Sequence, residues 1–153
     1  MNWTGLKRFE HEEKMEPVYK LHFTVPAEVV DANRHVNNVA YVQWMQDAAI
    51  GHSAAAGCTA VTVGMGASWV VRTHRIEYLS PAFAGDQVVV MTWVVDFGKA
   101  RSLRRYRMVR EKDGVVLALG ETNWVFVDAA SGRPRPIPEE IKKLFGTGEG
   151  EPV

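Results

Sequence analysis

A carboxylate, a carboxamide and an imidazole stand at every second position of Asp31-Ala32-Asn33-Arg34-His35, and Val36-Asn37-Asn38-Val39-Ala40-Tyr41 follows at once. If the chain is extended there, alternation sends Asp31, Asn33 and His35 to one side. Asn37 and Asn38 are residue types that cap helices, and the apolar run behind them is compatible with a helix. A carboxylate beside a helix N-terminus suits attack on a carbonyl group, because unbonded backbone N–H groups there can hold the oxyanion that forms. No other segment of the chain groups reactive side chains so tightly.

Other chemistries have less to stand on. Cys58 is the single cysteine, so an intrachain disulfide and a cysteine metal cluster are excluded. It lies in Gly57-Cys58-Thr59, which reads as a helix end or loop, and as a buried thiol rather than a nucleophile. Gly64-Met65-Gly66 is too short for a phosphate loop and precedes a strand, not a helix. No His, Asp or Glu spacing suggests a metal, and Gly-x-Ser-x-Gly is absent, so no metal or organic cofactor is expected. Eighteen basic residues balance eighteen acidic ones, which gives no global field for nucleic acid or an anionic membrane. The arginine run Arg101–Arg110 reads as a strand with a solvated face. The N-terminus lacks the apolar core of a signal peptide and no run reaches the length of a membrane span, so a soluble, cytoplasmic protein is expected.

The reactive segment must be positioned by the elements around it. Residues 1–17 form a charged arm, 18–145 a single domain, and 146–153 a flexible tail; 153 residues with 46% hydrophobic content suffice for one sizeable core. Val18–Val30 alternates like a strand that Pro26 interrupts, placing it at an edge or bulge. Asn38–Ala56 has apolar residues at helical spacing and few polar ones, so it predicts one helix buried on most sides and ended by Gly57. Trp69–Leu79, Gln87–Phe97, Ser102–Glu111 and Val115–Val127 are rich in Val, Trp, Tyr and Thr, and turn residues separate them, Asp113-Gly114 being the strongest hairpin signal. Arg133–Pro138 reads as a stiff strap and Glu139–Phe145 as a short helix. The order is strand, long helix, then four antiparallel strands. It disfavours a doubly wound sheet and predicts an α+β protein whose curved sheet wraps the helix and hides remaining apolar surface by self-association.

Asp-x-Asn-x-His-Val-Asn-Asn-Val-x-Tyr resembles the active-site segment of hotdog-fold thioesterases, as in the plant acyl-ACP thioesterases. The chain is similar also to the 4-hydroxybenzoyl-CoA thioesterase group, whose catalytic aspartate precedes a helix tryptophan by thirteen residues, the spacing of Asp31 and Trp44. The resemblance runs from about Val18 to Pro138 and includes Ile76–Ala82, Gly85-Asp86, Phe126–Asp128 and Gly132–Pro134. It implies a hotdog fold, a five-stranded antiparallel sheet around one long helix, assembled as a homodimer and possibly a tetramer. It also implies hydrolysis of an acyl or aryl thioester of coenzyme A, or of an acyl carrier protein, with Asp31 as nucleophile or general base. Asn33 would then position Asp31 or a water, His35 would orient a neighbour or the carbonyl, and the Asn38 N–H would hold the oxyanion. Val39, Tyr41, Trp44, Met45 and Trp69 are candidates for the acyl or aryl pocket, and Lys99, Arg101 and Ser102 for the coenzyme A phosphates. Plant enzymes carry a Glu and a Cys soon after the pair matching Glu77-Tyr78. Here Leu79-Ser80-Pro81-Ala82 stands instead, so Asp31 must do more alone, and Asp47 on the helix reads as structural. Two rival functions share the fold: a dehydratase or hydratase using His35 as base, and a non-catalytic acyl-binding protein.

Overall fold

Turn residues cut the chain after its long helix into four β segments, and in the computed structural model these form one antiparallel sheet with the first strand. The structure describes residues 18–146; the expected charged arm and, apart from Gly146, the expected tail lie outside it. The elements are β1 (Tyr19–Thr24), α1 (Asn38–Ala56), α2 (Cys58–Gly64), β2 (Ala67–Tyr78), β3 (Gln87–Phe97), β4 (Arg101–Arg110), β5 (Val116–Asp128) and α3 (Glu139–Leu144). The strands lie in the order β1-β3-β4-β5-β2, every neighbour antiparallel. This is the expected α+β arrangement, with β1 and the twelve-residue β2 at the two edges.

α1 starts and stops for local reasons. The Asn37 side chain accepts a hydrogen bond from Ala40 N at 2.9 Å and donates one to Val29 O at 2.9 Å, which caps the helix and ties it to the preceding segment. Gly57 ends it in the left-handed conformation, φ 88°. One face of α1 (Ala40, Tyr41, Trp44, Met45, Ala48) is buried against Val88 and Val90 of β3, Tyr106 and Met108 of β4, and Leu117 and Ala118 of β5. The approach is close at Gly120, where a Cβ would lie 2.9 Å from Met45 Sδ. The opposite face of α1 is open, with Val39 76% and Ile50 60% exposed, so the helix is not buried on most sides as expected.

Two further expectations need correction. β1 stops at Thr24, and beyond Pro26 a single turn of 3-10 helix (Ala27–Val29) replaces the strand. Gly57 is the expected helix end and Cys58 the expected buried thiol, here at the junction with α2, which packs against β2. The arginines of β4 are not a solvated face: Arg104 and Arg105 are buried. Arg105 pairs with Glu121 at 3.0 Å, and Arg110 with Asp86 at 3.4 Å and Asp113 at 3.2 Å. A period-two pattern cannot reveal which faces a neighbouring element covers, and β4 is the central strand of the sheet. The strap behaves as expected: Arg135 N donates to Phe126 O and Ile137 N to Lys99 O, leading the chain across the sheet's end to α3.

Candidate active site

Asp31 to His35 is not extended. Asp31 N donates to His35 O and Arg34 N to Asp31 O, both at 2.9 Å, and Arg34 takes a positive φ of 69°. This is a three-residue hairpin loop, a hydrogen-bonded β-turn followed by a left-handed residue, flanked by the Val30–Val36 bridge. Its cause is local. Asp31 Oδ1 accepts from Asn33 N at 2.9 Å, an Asx turn that competes with extension. Asp-x-Asn between two valines was the signal for it. The tight turn still gathers the expected group, because Asp31 and His35 become the closing pair of the hairpin.

Asp31, Asn33 and His35 line one open cleft of about 470 Å3 with Asn38, Tyr41 and the segment Tyr78–Pro81. Asn37 carries the helix cap, and the backbone N–H groups of Asn38 and Val39 in the first turn of α1 have no acceptor among the described residues. The helix end therefore offers two free donors beside the turn that holds the carboxylate. His35 is exposed and packs edge-on to Phe83 at 5.5 Å. Tyr78 was not among the sequence candidates; its hydroxyl donates to Asn38 O at 3.0 Å, and its ring meets Tyr41 edge-on at 5.1 Å. Burial raises the Tyr41 pKa, against the lowering effect of a backbone hydrogen bond at Ala82, so Tyr41 remains a neutral phenol in the cleft wall. Arg110 braces the far wall, donating to Pro81 O at 3.1 Å. The Tyr78–Pro81 wall was visible only as part of a resemblance, because nothing local marks it as reactive.

The other candidates divide. Trp44 and Met45 sit in the core: Trp44 packs on Phe23 at 4.7 Å and Tyr41 at 5.0 Å, Met45 is fully buried against Gly120, and neither is part of the Asp31 cleft. Val39 points to solvent. Trp69 lines a second cavity, of about 410 Å3, between the C-terminal half of α1 and the sheet. Lys99, Arg101 and Ser102 lie at the wrong end of the sheet to serve the Asp31 of their own chain. Tyr78 and Met108 share one register row through Ala118, whereas Arg101 is seven residues back along β4, about 23 Å away. There Arg101 pairs with Asp96 at 3.5 Å and Ser102 donates to Asp96 O at 3.2 Å. The second cavity is the better enclosed, and no carboxylate lines it, whereas Asp31 lines the first. Among the described residues no three His, Cys, Asp or Glu side chains could share a metal ion, and no helix is long and apolar enough to cross a membrane.

With this geometry established, comparison places the chain. Residues 25–145 match the model of the thioesterase-like superfamily, and the chain belongs to that family. It is similar to the chloroplastic palmitoyl-acyl carrier protein thioesterase of Gossypium hirsutum, 26% identical over 144 residues, 88% of this chain and 33% of that one. It is also similar to the L-carnitine dehydrogenase/betainyl-CoA thioesterase of Ruegeria pomeroyi, 26% identical over 125 residues, 81% of this chain and 25% of that one. The chain thus spans a third or less of the length of these curated relatives. In fold it resembles the 1,4-dihydroxy-2-naphthoyl-CoA thioesterase of Synechocystis, with a TM-score of 0.77 at 14% identity, covering 88% of this chain and all of that one. The hotdog architecture follows from both.

Proposed function

We propose that the chain hydrolyses acyl thioesters at the Asp31 cleft. The observation that carries this reading is the meeting of an accessible carboxylate with Asn38, whose helix N–H is unbonded, in one cleft, the free Val39 N–H following in the same helix turn. A thioester carbonyl seated at the helix start would place its oxygen on these donors and its carbon within reach of Asp31. In the general-base route, Asp31 takes a proton from water as the C–O bond forms; the tetrahedral oxyanion rests on the N–H groups, then collapses with C–S cleavage, and the thiolate leaves with the proton. In the nucleophilic route, Asp31 itself expels the thiolate and water opens the resulting anhydride. Asn33, whose backbone N–H already fixes Asp31 Oδ1, holds the carboxylate's orientation. His35 lies opposite, placed to contact the substrate rather than Asp31.

The thioester would be that of coenzyme A or an acyl carrier protein, the two carriers named for the relatives. The long edge strand β2, with Val70 and Tyr78 over 40% exposed, is where a second copy would pair. Antiparallel pairing of two β2 edges would bring the Lys99–Ser102 corner of one copy toward the Asp31 cleft of the other, so a dimer would restore the phosphate-binding role that one chain's geometry denies these residues. Thiol release measured across short, long and aryl CoA esters and an acyl carrier protein ester tests the proposal. Turnover of at least one class, lost in Asp31→Asn, is expected. Tight binding without turnover across the whole panel would replace hydrolysis by a binding role.

A further inference from the structure

Arg104, in the middle of β4, is 5% exposed and forms no ion pair with a carboxylate among the described residues. A buried guanidinium is normally paired, because desolvating an uncompensated charge is costly. Here both recorded hydrogen bonds use one nitrogen: Nη1 donates to His52 Nδ1 at 2.9 Å and to Thr92 Oγ1 at 3.0 Å. Both acceptors are neutral. Thr92 spends its own proton on Arg105 O, and His52 must present an unprotonated Nδ1 to accept from a group that only donates. The Phe145 ring, 5.8 Å from Cζ, adds a weak cation–π contact. Nε and Nη2, the edge of the guanidinium that binds a carboxylate with two parallel hydrogen bonds, have no acceptor among the described residues.

Arg104 stands in the wall of the second cavity, with Trp69, Val94, Phe97 and Phe145 as apolar neighbours. At about 410 Å3 the space falls within the range of small-molecule sites, roughly 300–1,000 Å3. Gln46, on the α1 side of the same cavity, has a buried Oε1 with no hydrogen-bond partner, an acceptor that a water accompanying an occupant would satisfy. An apolar chamber with one unneutralised cation in its wall is complementary to one ligand chemistry. We propose that this cavity binds an apolar carboxylic acid, its carboxylate on the free edge of Arg104 and its hydrocarbon body among Trp69, Phe97 and Phe145. The acid could be a free molecule or the far end of a substrate's own acyl group. Binding at Arg104 does not depend on hydrolysis at Asp31, so the two readings fail separately.

The test titrates the full chain with decanoate and, as an uncharged match, decanol, by calorimetry and by tryptophan fluorescence, to which Trp69 and Trp124 in the cavity wall report. Saturable decanoate binding at least tenfold tighter than decanol is expected, with that preference lost in Arg104→Met. Because Arg104 is buried and its replacement can unfold the chain, Ile50→Phe at the cavity wall, a position 60% exposed, supplies the second variant. It should weaken decanoate at least tenfold while leaving the melting temperature unchanged. The source is separated by comparing decanoyl-CoA with its analogue ending in a carboxylate: a tenfold higher kcat/KM for the analogue, dependent on Arg104, marks the substrate's far end, and equal rates with decanoate still bound mark a free ligand. Equal binding of decanoate and decanol, no binding of either, or undiminished decanoate binding by folded Arg104→Met overturns the proposal.

Discussion

Asp31 and Arg104 stand near opposite ends of one helix, and in opposite circumstances. Asp31 is exposed on a five-residue turn, its carboxylate oriented by the backbone two residues on. Arg104 is buried in the central strand and held by groups far away in sequence, His52 from α1 and Thr92 from β3. The first arrangement is built from adjacent residues and stands open to solvent. The second exists because the register of β3 against β4 and the seating of α1 bring distant side chains together. Chemistry assembled locally leaves a motif in the sequence, whereas a binding chamber assembled by packing does not.

The sharpest way to break this contrast is to change each site and ask whether activity and stability separate. Asp31→Asn keeps the side-chain oxygen that fixes the turn, so melting should be unaffected while thioester hydrolysis falls on the order of a hundred- to a ten-thousandfold, the range for loss of a positioned acid–base group. Loss of fold together with activity would make Asp31 a structural residue. At the other end, burial first and then Arg104 hold the His52 pKa down at about 4. Between about 4 and its ordinary value near 6.5 the unfolded chain binds the extra proton, so the stability contribution is complete above 6.5 and is lost as pH falls toward 4. We expect a loss on the order of 2 kcal/mol across that window, read from chemical melts and flattened in His52→Gln, which still offers Arg104 an acceptor.

Smaller changes sharpen the picture at the helix start. Asn37→Ala removes the cap and the tie to Val29 and should cost about 1 kcal/mol, with kcat falling as the first turn of α1 frays. Retained kcat with the stability loss would remove the Asn38 and Val39 N–H groups from the mechanism. Tyr78→Phe deletes one partly exposed hydrogen bond to Asn38 O and should cost about 0.5–1 kcal/mol with a change of only a fewfold in rate, measured in the same assays. A larger rate effect would move Tyr78 from the cleft wall to the reacting atoms.

What could be read beforehand follows the same division. The limits of α1 were legible because a cap and a left-handed glycine mark them, and β3 was legible because strong β formers stand between turns. The reactive cluster was legible as a set of residues but not in conformation, since alternation and an Asx turn are both written into Asp-x-Asn-x-His. Trp44 and Met45 could not be told from pocket residues, because a helix with apolar residues around most of its girth does not say which of them meets the sheet.

The sequence by itself determined the order of elements, the ends of the long helix and the grouping of Asp31, Asn33 and His35, since each depends on residues within a turn or two of one another. The tertiary structure alone decided that Arg104 is buried with no carboxylate partner among the described residues, that Tyr78–Pro81 walls the Asp31 cleft, and that Lys99–Ser102 lies at the other end of the sheet. Those outcomes depend on strand order and register, and residues forty to seventy positions apart carry no local trace of their meeting.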